Sequence, residues 1–214
     1  MPKKAVSFLE VFNMIQIGNC IDLMKNYPDN YFDIVFTSPP FKDEDVDGDY
    51  WTFYNEFFQQ AYRVAGKVLI IIHSATKMNE HIRRYPPKRV LIWGKGIIAA
   101  SWRYNPIYVY QKTEEYKVNK YIWCDCFGVE PIKGNVKVHK YQDPVILYTT
   151  ILSMFTGCTS VLDPFCGSGT TLQACRYLTN KGDIKEGHGM EINSSYLPLI
   201  NRGTSPSLDS FIFP

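Results

Sequence analysis

Short apolar runs alternate with stretches whose apolar residues recur every three or four positions, and the two periods divide the chain into strands and helices in turn. Phe12 to Ile17 predicts a strand, Cys20 to Lys25 a short helix, and Tyr27-Pro28-Asp29-Asn30 a turn. Phe32 to Phe36 predicts a second strand that stops at Thr37-Ser38-Pro39-Pro40-Phe41. Beyond an acidic loop, Asp43 to Asp49, the spacing of Trp51, Tyr54, Phe58, Ala61, Tyr62 and Ala65 predicts a helix. Lys67 to Ile72 is an apolar run of the length expected for a strand buried on both faces. A helix over Ala75 to Arg84 is halted by Pro86-Pro87, and strands follow at Arg89 to Trp93 and Ile107 to Gln111. Lys112 to Val138 is polar and weakly periodic. Asp143 to Phe155 predicts a helix, a run ending in Val161 a strand, Leu172 to Leu178 a helix and His188 to Ile192 a strand. The last helix, Asn193 to Asn201, is capped by Asn193 or Ser194. No internal repeat interrupts the series. Strands alternating with helices predict an α/β fold with a doubly wound, mostly parallel sheet.

The 214 residues allow one domain, or one with a small insertion, and a hydrophobic fraction of 45% is enough for a core. No run of 18 apolar residues exists, so no membrane partner is expected. Met1-Pro2-Lys3-Lys4 precedes no long apolar stretch, which argues against a signal peptide. Six scattered cysteines suit a reducing cytoplasm, and Cys124-x-Cys126 lacks the second pair that zinc would require. Asp43-x-Asp45-x-Asp47-Gly48 begins like a calcium loop, but Tyr54 stands where the bidentate Glu belongs, so no metal is expected. The net charge of +2 is unevenly spread: Lys77 to Lys140 holds 13 Lys and Arg against 5 Asp and Glu, a local +8, and the rest of the chain is −6. Tyrosines and tryptophans interleave with those cations. A polyanion-facing side that stacks bases is one reading, and a solvated face over core aromatics is the other.

The ten residues from Leu162 to Thr171, LDPFCGSGTT, narrow the chemistry. Strand, carboxylate, glycine turn and helix form an architecture in which a ligand meets backbone N–H groups at a helix start. Gly167 and Gly169 let the backbone approach closely because neither carries a Cβ. A phosphate-binding P-loop would need a Lys before the Ser/Thr, and a dinucleotide fingerprint would need a third glycine where Leu172 stands. What remains fits S-adenosylmethionine, with Asp163, Phe165, Cys166, Gly167, Ser168, Gly169 and Thr170 around it. Glu191, 28 residues past Asp163, is suited to the ribose hydroxyls, with Ile192 beside it.

The second motif is Thr37-Ser38-Pro39-Pro40-Phe41. Paired prolines fix φ and restrict the preceding residue, so the Ser38 hydroxyl and the Pro39 carbonyl are presented rigidly beside the Phe41 ring. Two acceptors and a stacking face suit the exocyclic amine of a nucleobase. Accepting both amine hydrogens would pull the nitrogen towards tetrahedral geometry and free its lone pair for attack on a sulfonium methyl. Positioning supplies much of the barrier reduction, and a base in duplex DNA must first be flipped out.

These motifs, in this order, resemble the beta arrangement of the amino DNA methyltransferases. Ser38 to Phe41 corresponds to the family's (D/N/S)-P-P-(Y/F), Lys112 to Val138 to its target-recognition segment, and Phe165 to Gly169 to its F-x-G-x-G. The resemblance implies a Rossmann-like methyltransferase fold, with 1–111 as the catalytic half, 112–138 as a small recognition insert and 139–214 as the cofactor half. His139-Lys140-Tyr141-Gln142-Asp143-Pro144 stands where the family has H-P-T-Q-K-P, which implies Gln142 and Pro144 on the methionine side of the cofactor. Ile17-Gly18-Asn19-Cys20 resembles the family's G-D-C and implies Asn19 and Cys20 near the adenine; Thr37 joins the cofactor set. Trp93-Gly94-Lys95, Arg103 to Val109, and Tyr196 with Arg202 match further family positions. Two departures stand out: Asn19 replaces an acid, and Asp143 replaces a Lys.

Ser38 in the first motif position resembles the N4-cytosine enzymes, whereas the N6-adenine enzymes mostly carry Asp. The expectation is therefore N4-cytosine methylation in a short duplex site. N6-adenine methylation is the alternative, a catalytically weak cofactor- or DNA-binding regulator a second, and RNA or protein amide methylation a third. Lys95, Arg103, Lys117, Lys120 and Lys137 are candidate phosphate contacts. The expected partner is double-stranded DNA. A homodimer and a cognate restriction endonuclease are further candidates, and the location is the cytoplasm of a bacterial, archaeal or viral system.

Overall fold

Strands form where the apolar runs predict them. In chain order they are β1 (Met14–Ile17), β2 (Phe32–Thr37), β3 (Ala65–Ile72), β4 (Arg89–Gly94), β5 (Tyr104–Gln111), β6 (Lys117–Val118), β7 (Cys126–Gly128), β8 (Phe155–Thr156), β9 (Ser160–Asp163) and β10 (Glu186–Glu191). The helices are α1 (Cys20–Met24), α2 (Tyr50–Val64), α3 (Met78–Arg84), α4 (Val145–Ser153), α5 (Thr170–Asn180) and α6 (Leu197–Arg202). A computed structural model describes residues 14–95, 103–113, 117–118, 125–129, 142–183 and 185–202.

The main sheet runs β1-β10-β9-β2-β3-β5-β4-β7, and β6 pairs with β8 apart from it. The pairs from β1 to β3 are parallel, β5 runs against both β3 and β4, and β4 is parallel to β7. Central strands are covered on both sides, so alternate residues enter different cores. Val68, Ile70 and Ile72 of β3 pack in one core with residues of α4 and α5. Leu69 and Ile71 pack in the other with residues of α1 and α2. This two-sided burial is why β3 reads as a continuous apolar run rather than an alternating one.

The differences from the sequence expectations have local causes. Strand β5 begins at Tyr104, ahead of Ile107, and includes Pro106. The Pro106 carbonyl accepts from His73 N just past the end of β3, so the N–H that proline lacks falls beyond that ladder. The helix expected from Asp143 starts at Val145, because Pro144 drives Asp143 out of helical geometry. Its far end stops at Ser153, and Phe155 pairs with Val118 instead. The last helix divides into a 3-10 turn, Ser194–Tyr196, capped by Asn193, and α6 with Pro198 in its first turn. Within the segment 112–138, the described residues include β6 and β7, and β7 extends the main sheet beside β4. No described helix is long and apolar enough to cross a membrane.

From β2 the chain winds towards β3, whereas from β9 it winds the opposite way, to β10. Strands β2 and β9 are parallel neighbours, Ile34 opposite Val161 and Val35 opposite Leu162. Their carboxyl ends therefore open onto one crevice at a topological switch point, where sheets of this kind take ligands.

Candidate active site

Both chemistry-bearing loops leave the sheet at that crevice. Asp163, the last residue of β9, is buried and joins them. Its Oδ1 accepts from the Thr37 hydroxyl at 2.7 Å and from Phe165 N at 3.1 Å, and its Oδ2 accepts from the Thr171 hydroxyl. Thr37 ends β2 immediately before Ser38, so one carboxylate ties the Ser-Pro-Pro loop to the glycine turn. The sequence predicts Asp163 beside the ligand; in the structure its oxygens have three protein partners and the residue is 3% exposed. Burial pushes its carboxyl up to about 6 against the hydrogen bonds from Thr171, Thr37 and Phe165 that favour the anion. The opposite end of the β2–β9 pair is closed by Asp33, which accepts from Thr159 N at 2.7 Å and pairs with Lys67 at 2.9 Å.

Left-handed backbone at Gly167 (φ 49°) and Gly169 (φ 83°) turns the chain into α5. The turn lies against β10: Cys166 N donates to the Met190 carbonyl, and Gly167 N donates to Glu191 Oε2 at 2.9 Å. A Cβ on Gly189 would come 2.9 Å from Cys166 Sγ, so the glycine in β10 permits this seating. Cys166 and Cys20 are buried, with desolvation pushing both thiols up, Cys20 to about 12. Ser168 and Thr170 are buried in the turn, and the Thr170 hydroxyl donates to the Asp143 carbonyl at 3.4 Å. Phe165 packs edge-on to Phe57.

Glu191 ends β10 with Oε1 accepting from Asn193 N, and Ile192 beside it is 73% exposed. Each carboxylate oxygen retains a lone pair for a hydroxyl. Asn19 caps α1, its Oδ1 accepting from Ile21 N at 2.9 Å. Gln142 and Pro144 are buried just ahead of α4. A glycine turn without a cation, a carboxylate at the end of the next strand and an exposed apolar neighbour fit an adenosyl group that carries no phosphate.

The loop after β2 is held from below by groups that the sequence did not single out. Ser74 N donates to His73 Nδ1 at 2.8 Å, which places the ring proton on Nε2. His73 Nε2–H then donates to the Tyr50 hydroxyl at 2.8 Å, and Tyr50 donates to the Pro40 carbonyl at 2.8 Å. Burial holds His73 down to about 4, so the neutral tautomer persists. The Phe41 ring lies 5.5 Å from the His73 ring. Asp49 caps α2 through Thr52 N, and Asp43 pairs with Lys77 at 2.5 Å, so the acidic loop serves as a helix entry. Among the described residues, no group of three or more His, Cys, Asp or Glu is placed to hold a metal ion.

The candidate phosphate contacts separate by position. Lys95 N donates to the Arg103 carbonyl, and both lie at the carboxyl end of β4, on the crevice edge of the sheet. Lys117 stands apart from these two: its backbone pairs with Thr156, ahead of β9, at the edge opposite the Ser38 loop. Lys120 and Lys137 lie outside the described residues, as do His139 to Tyr141.

The crevice, the carboxylate tie and the turn belong to a Rossmann-like cofactor-dependent transferase. Comparison with known proteins gives the family: residues 32–202 match the N6/N4 methyltransferase family, described as DNA methylase, and the chain belongs to it. This family comprises S-adenosylmethionine-dependent N4-cytosine and N6-adenine DNA methyltransferases. The type II methyltransferase M.HpaI of Haemophilus parainfluenzae is 26% identical over an alignment of 241 residues, covering 91% of this chain and 74% of that protein. Among solved structures, the cytosine-N4-specific PvuII DNA methyltransferase superposes with a TM-score of 0.73 at 14% identity, covering 92% of this chain and 87% of that one. M1.HpyAVI in complex with SAM gives 0.69 at 18% identity, covering 91% of this chain and all of that one. Both share this chain's Rossmann-like fold.

Proposed function

We propose that the chain methylates N4 of cytosine in duplex DNA, with Ser38 as the first acceptor for the flipped base's amine. The observation that supports this reading best is the Thr37–Asp163 hydrogen bond, which seats the Ser-Pro-Pro loop against the glycine turn. S-adenosylmethionine supplies an electrophilic methyl group when bound. Gly167 and Gly169 admit it against the backbone, Glu191 takes its ribose hydroxyls, and Asn19, Cys20, Ile192, Gln142 and Pro144 line its ends.

The Ser38 hydroxyl and the Pro39 carbonyl accept the two amine hydrogens, and Phe41 stacks on the ring. That arrangement points the nitrogen lone pair along the line of transfer, so orientation lowers the barrier. A hydroxyl acceptor in place of a carboxylate supports cytosine over adenine, as does the specificity of the PvuII enzyme. Lys95 and Arg103, on the crevice edge, contact the phosphate backbone.

Replacement Ser38→Ala tests the assignment. Single-turnover transfer of labelled methyl to unmethylated duplex slows by about 100-fold or more, within the range of general acid–base effects. Cofactor affinity by calorimetry is retained. Turnover at the wild-type rate contradicts the role of Ser38.

A further inference from the structure

Resting on the DNA-methylation reading above, we propose that Lys77 is a further phosphate contact, held by Asp43 in the free protein and given up to the DNA backbone when duplex enters the crevice. The Asp43–Lys77 pair is then a latch on the acidic loop that follows the Ser-Pro-Pro motif.

Topology puts Lys77 at the crevice. Strands β2 and β3 are parallel neighbours, so the 3-10 turn after β3, Ala75–Lys77, leaves the sheet on the same side as Ser38. Strand β5 runs against β3 and begins on that side with Tyr104, whose hydroxyl lies 4.0 Å from Met78 Sδ. Lys77, Arg103 and Lys95 thus follow the carboxyl edge of the sheet in the order β3, β5, β4. From β3 to β4 is two strand spacings, about 10 Å, a length spanned by a few successive phosphates of one DNA strand.

The cation is fixed and its anion is replaceable. Lys77 Nζ lies 4.1 Å from the centroid of the Tyr50 ring and 5.8 Å from that of Trp51. It also pairs with Asp43 Oδ1 at 2.5 Å. The Lys77 side chain is 16% exposed and that of Asp43 is 74% exposed, so the carboxylate covers the ammonium from the solvent side. An ammonium has three donors, and a phosphate oxygen can take the place of the carboxylate without disturbing the contact with the rings. Arg84 also lies over Trp51, at 4.9 Å, but its partner is Glu80 of its own helix, and it holds no part of the loop.

The loop supplies the reason for an exchange. Asp43 to Asp49 carries five acidic residues directly after Phe41, and fixed negative charge at the mouth of a DNA crevice repels the substrate. Asp49 is tied down, accepting from Thr52 N and from the Thr52 hydroxyl as the cap of α2. Beside that fixed end Gly48 takes φ 79° with open space around it, which gives the loop a bend. Asp43, at the other end, is held by Lys77. A phosphate that takes Lys77 releases this end. Tyr50 meanwhile keeps its hydrogen bond to the Pro40 carbonyl, so the mouth opens and the catalytic loop stays in place.

The test measures binding of the full chain, without cofactor, to a fluorescein-labelled duplex of mixed sequence by anisotropy, from about 50 to 200 mM salt. The variants are Lys77→Met, Asp43→Asn, the two combined, and Asp47→Asn, which removes an exposed acid of the same loop; thermal unfolding is followed for each. Lys77→Met weakens binding and lowers the slope of log affinity against log salt by about one. Asp43→Asn tightens binding by about fivefold, the upper end of what a surface ion pair is worth, and Asp47→Asn by less than about twofold. In the double variant the gain from Asp43→Asn disappears, because Asp43 acts through Lys77. Unchanged affinity and slope in Lys77→Met overturn the phosphate contact. A gain in Asp43→Asn no larger than in Asp47→Asn, or one that persists without Lys77, overturns the latch and leaves simple repulsion. A pair that only braces the fold predicts weaker binding in Asp43→Asn, the opposite sign, so this variant decides the matter even where Lys77→Met is unstable. A wild-type chain that binds no duplex overturns the DNA-methylation reading and the latch together; salt-dependent wild-type binding with Asp43→Asn no tighter than Asp47→Asn overturns the latch alone.

Discussion

At the residue scale, a buried carboxylate is ordinarily matched by a cation, but Asp163 is held by two threonine hydroxyls and one backbone N–H. The fold thus favours its neutral form, at about 6 against the usual 3.8. A carboxyl raised in the folded state contributes stability that is present below pH 4 and lost as pH climbs through 6. The amount is on the order of 3 kcal/mol. Asp163→Asn lacks that dependence. Urea unfolding across pH 4.5 to 7 should therefore show wild-type stability falling relative to the variant up to about pH 6, then running level with it. A difference that rises with pH contradicts this account. The sequence made Asp163 conspicuous through its place before a glycine turn. It could not show that Thr37, 126 positions earlier, would use its hydroxyl there. Thr171 was hidden for the same reason, since a helix-start threonine is common and its partner is set by tertiary contact.

At the scale of elements, β2 and β9 were legible because each is an apolar run closed by a polar residue. The loops after them were legible because prolines and glycines constrain the backbone so narrowly. Helix ends were less so: the starts near Pro144 and Pro198 fall two residues and about a turn later than the spacing predicts. The support beneath the Ser-Pro-Pro loop was invisible. Tyr50 opens α2 and His73 follows the end of β3, and each reads locally as an ordinary aromatic or core residue. Tyr50→Phe leaves both the Pro40 carbonyl and His73 Nε2–H without a partner, which costs about 1–3 kcal/mol. Denaturant unfolding should show that loss, and single-turnover transfer should slow as the loop loosens, while calorimetry shows cofactor binding intact. Wild-type stability in Tyr50→Phe rules out the support.

At the scale of the whole molecule, the winding reversal between β2 and β9 brings the two halves of the site together. Strand alternation suggested a doubly wound sheet, but strand order is a product of long-range pairing, and the sequence does not display it. The charge asymmetry was readable as a total and not as a surface. Lys95 and Arg103 reach the crevice edge, whereas Lys117 pairs into a ribbon on the far side. Cytosine methylation is tested most directly by incubating unmethylated duplex DNA with the protein and S-adenosylmethionine, then digesting to nucleosides for mass spectrometry. N4-methylcytosine is the expected product. N6-methyladenine would contradict the cytosine assignment, and unmodified nucleosides would contradict the proposed activity itself.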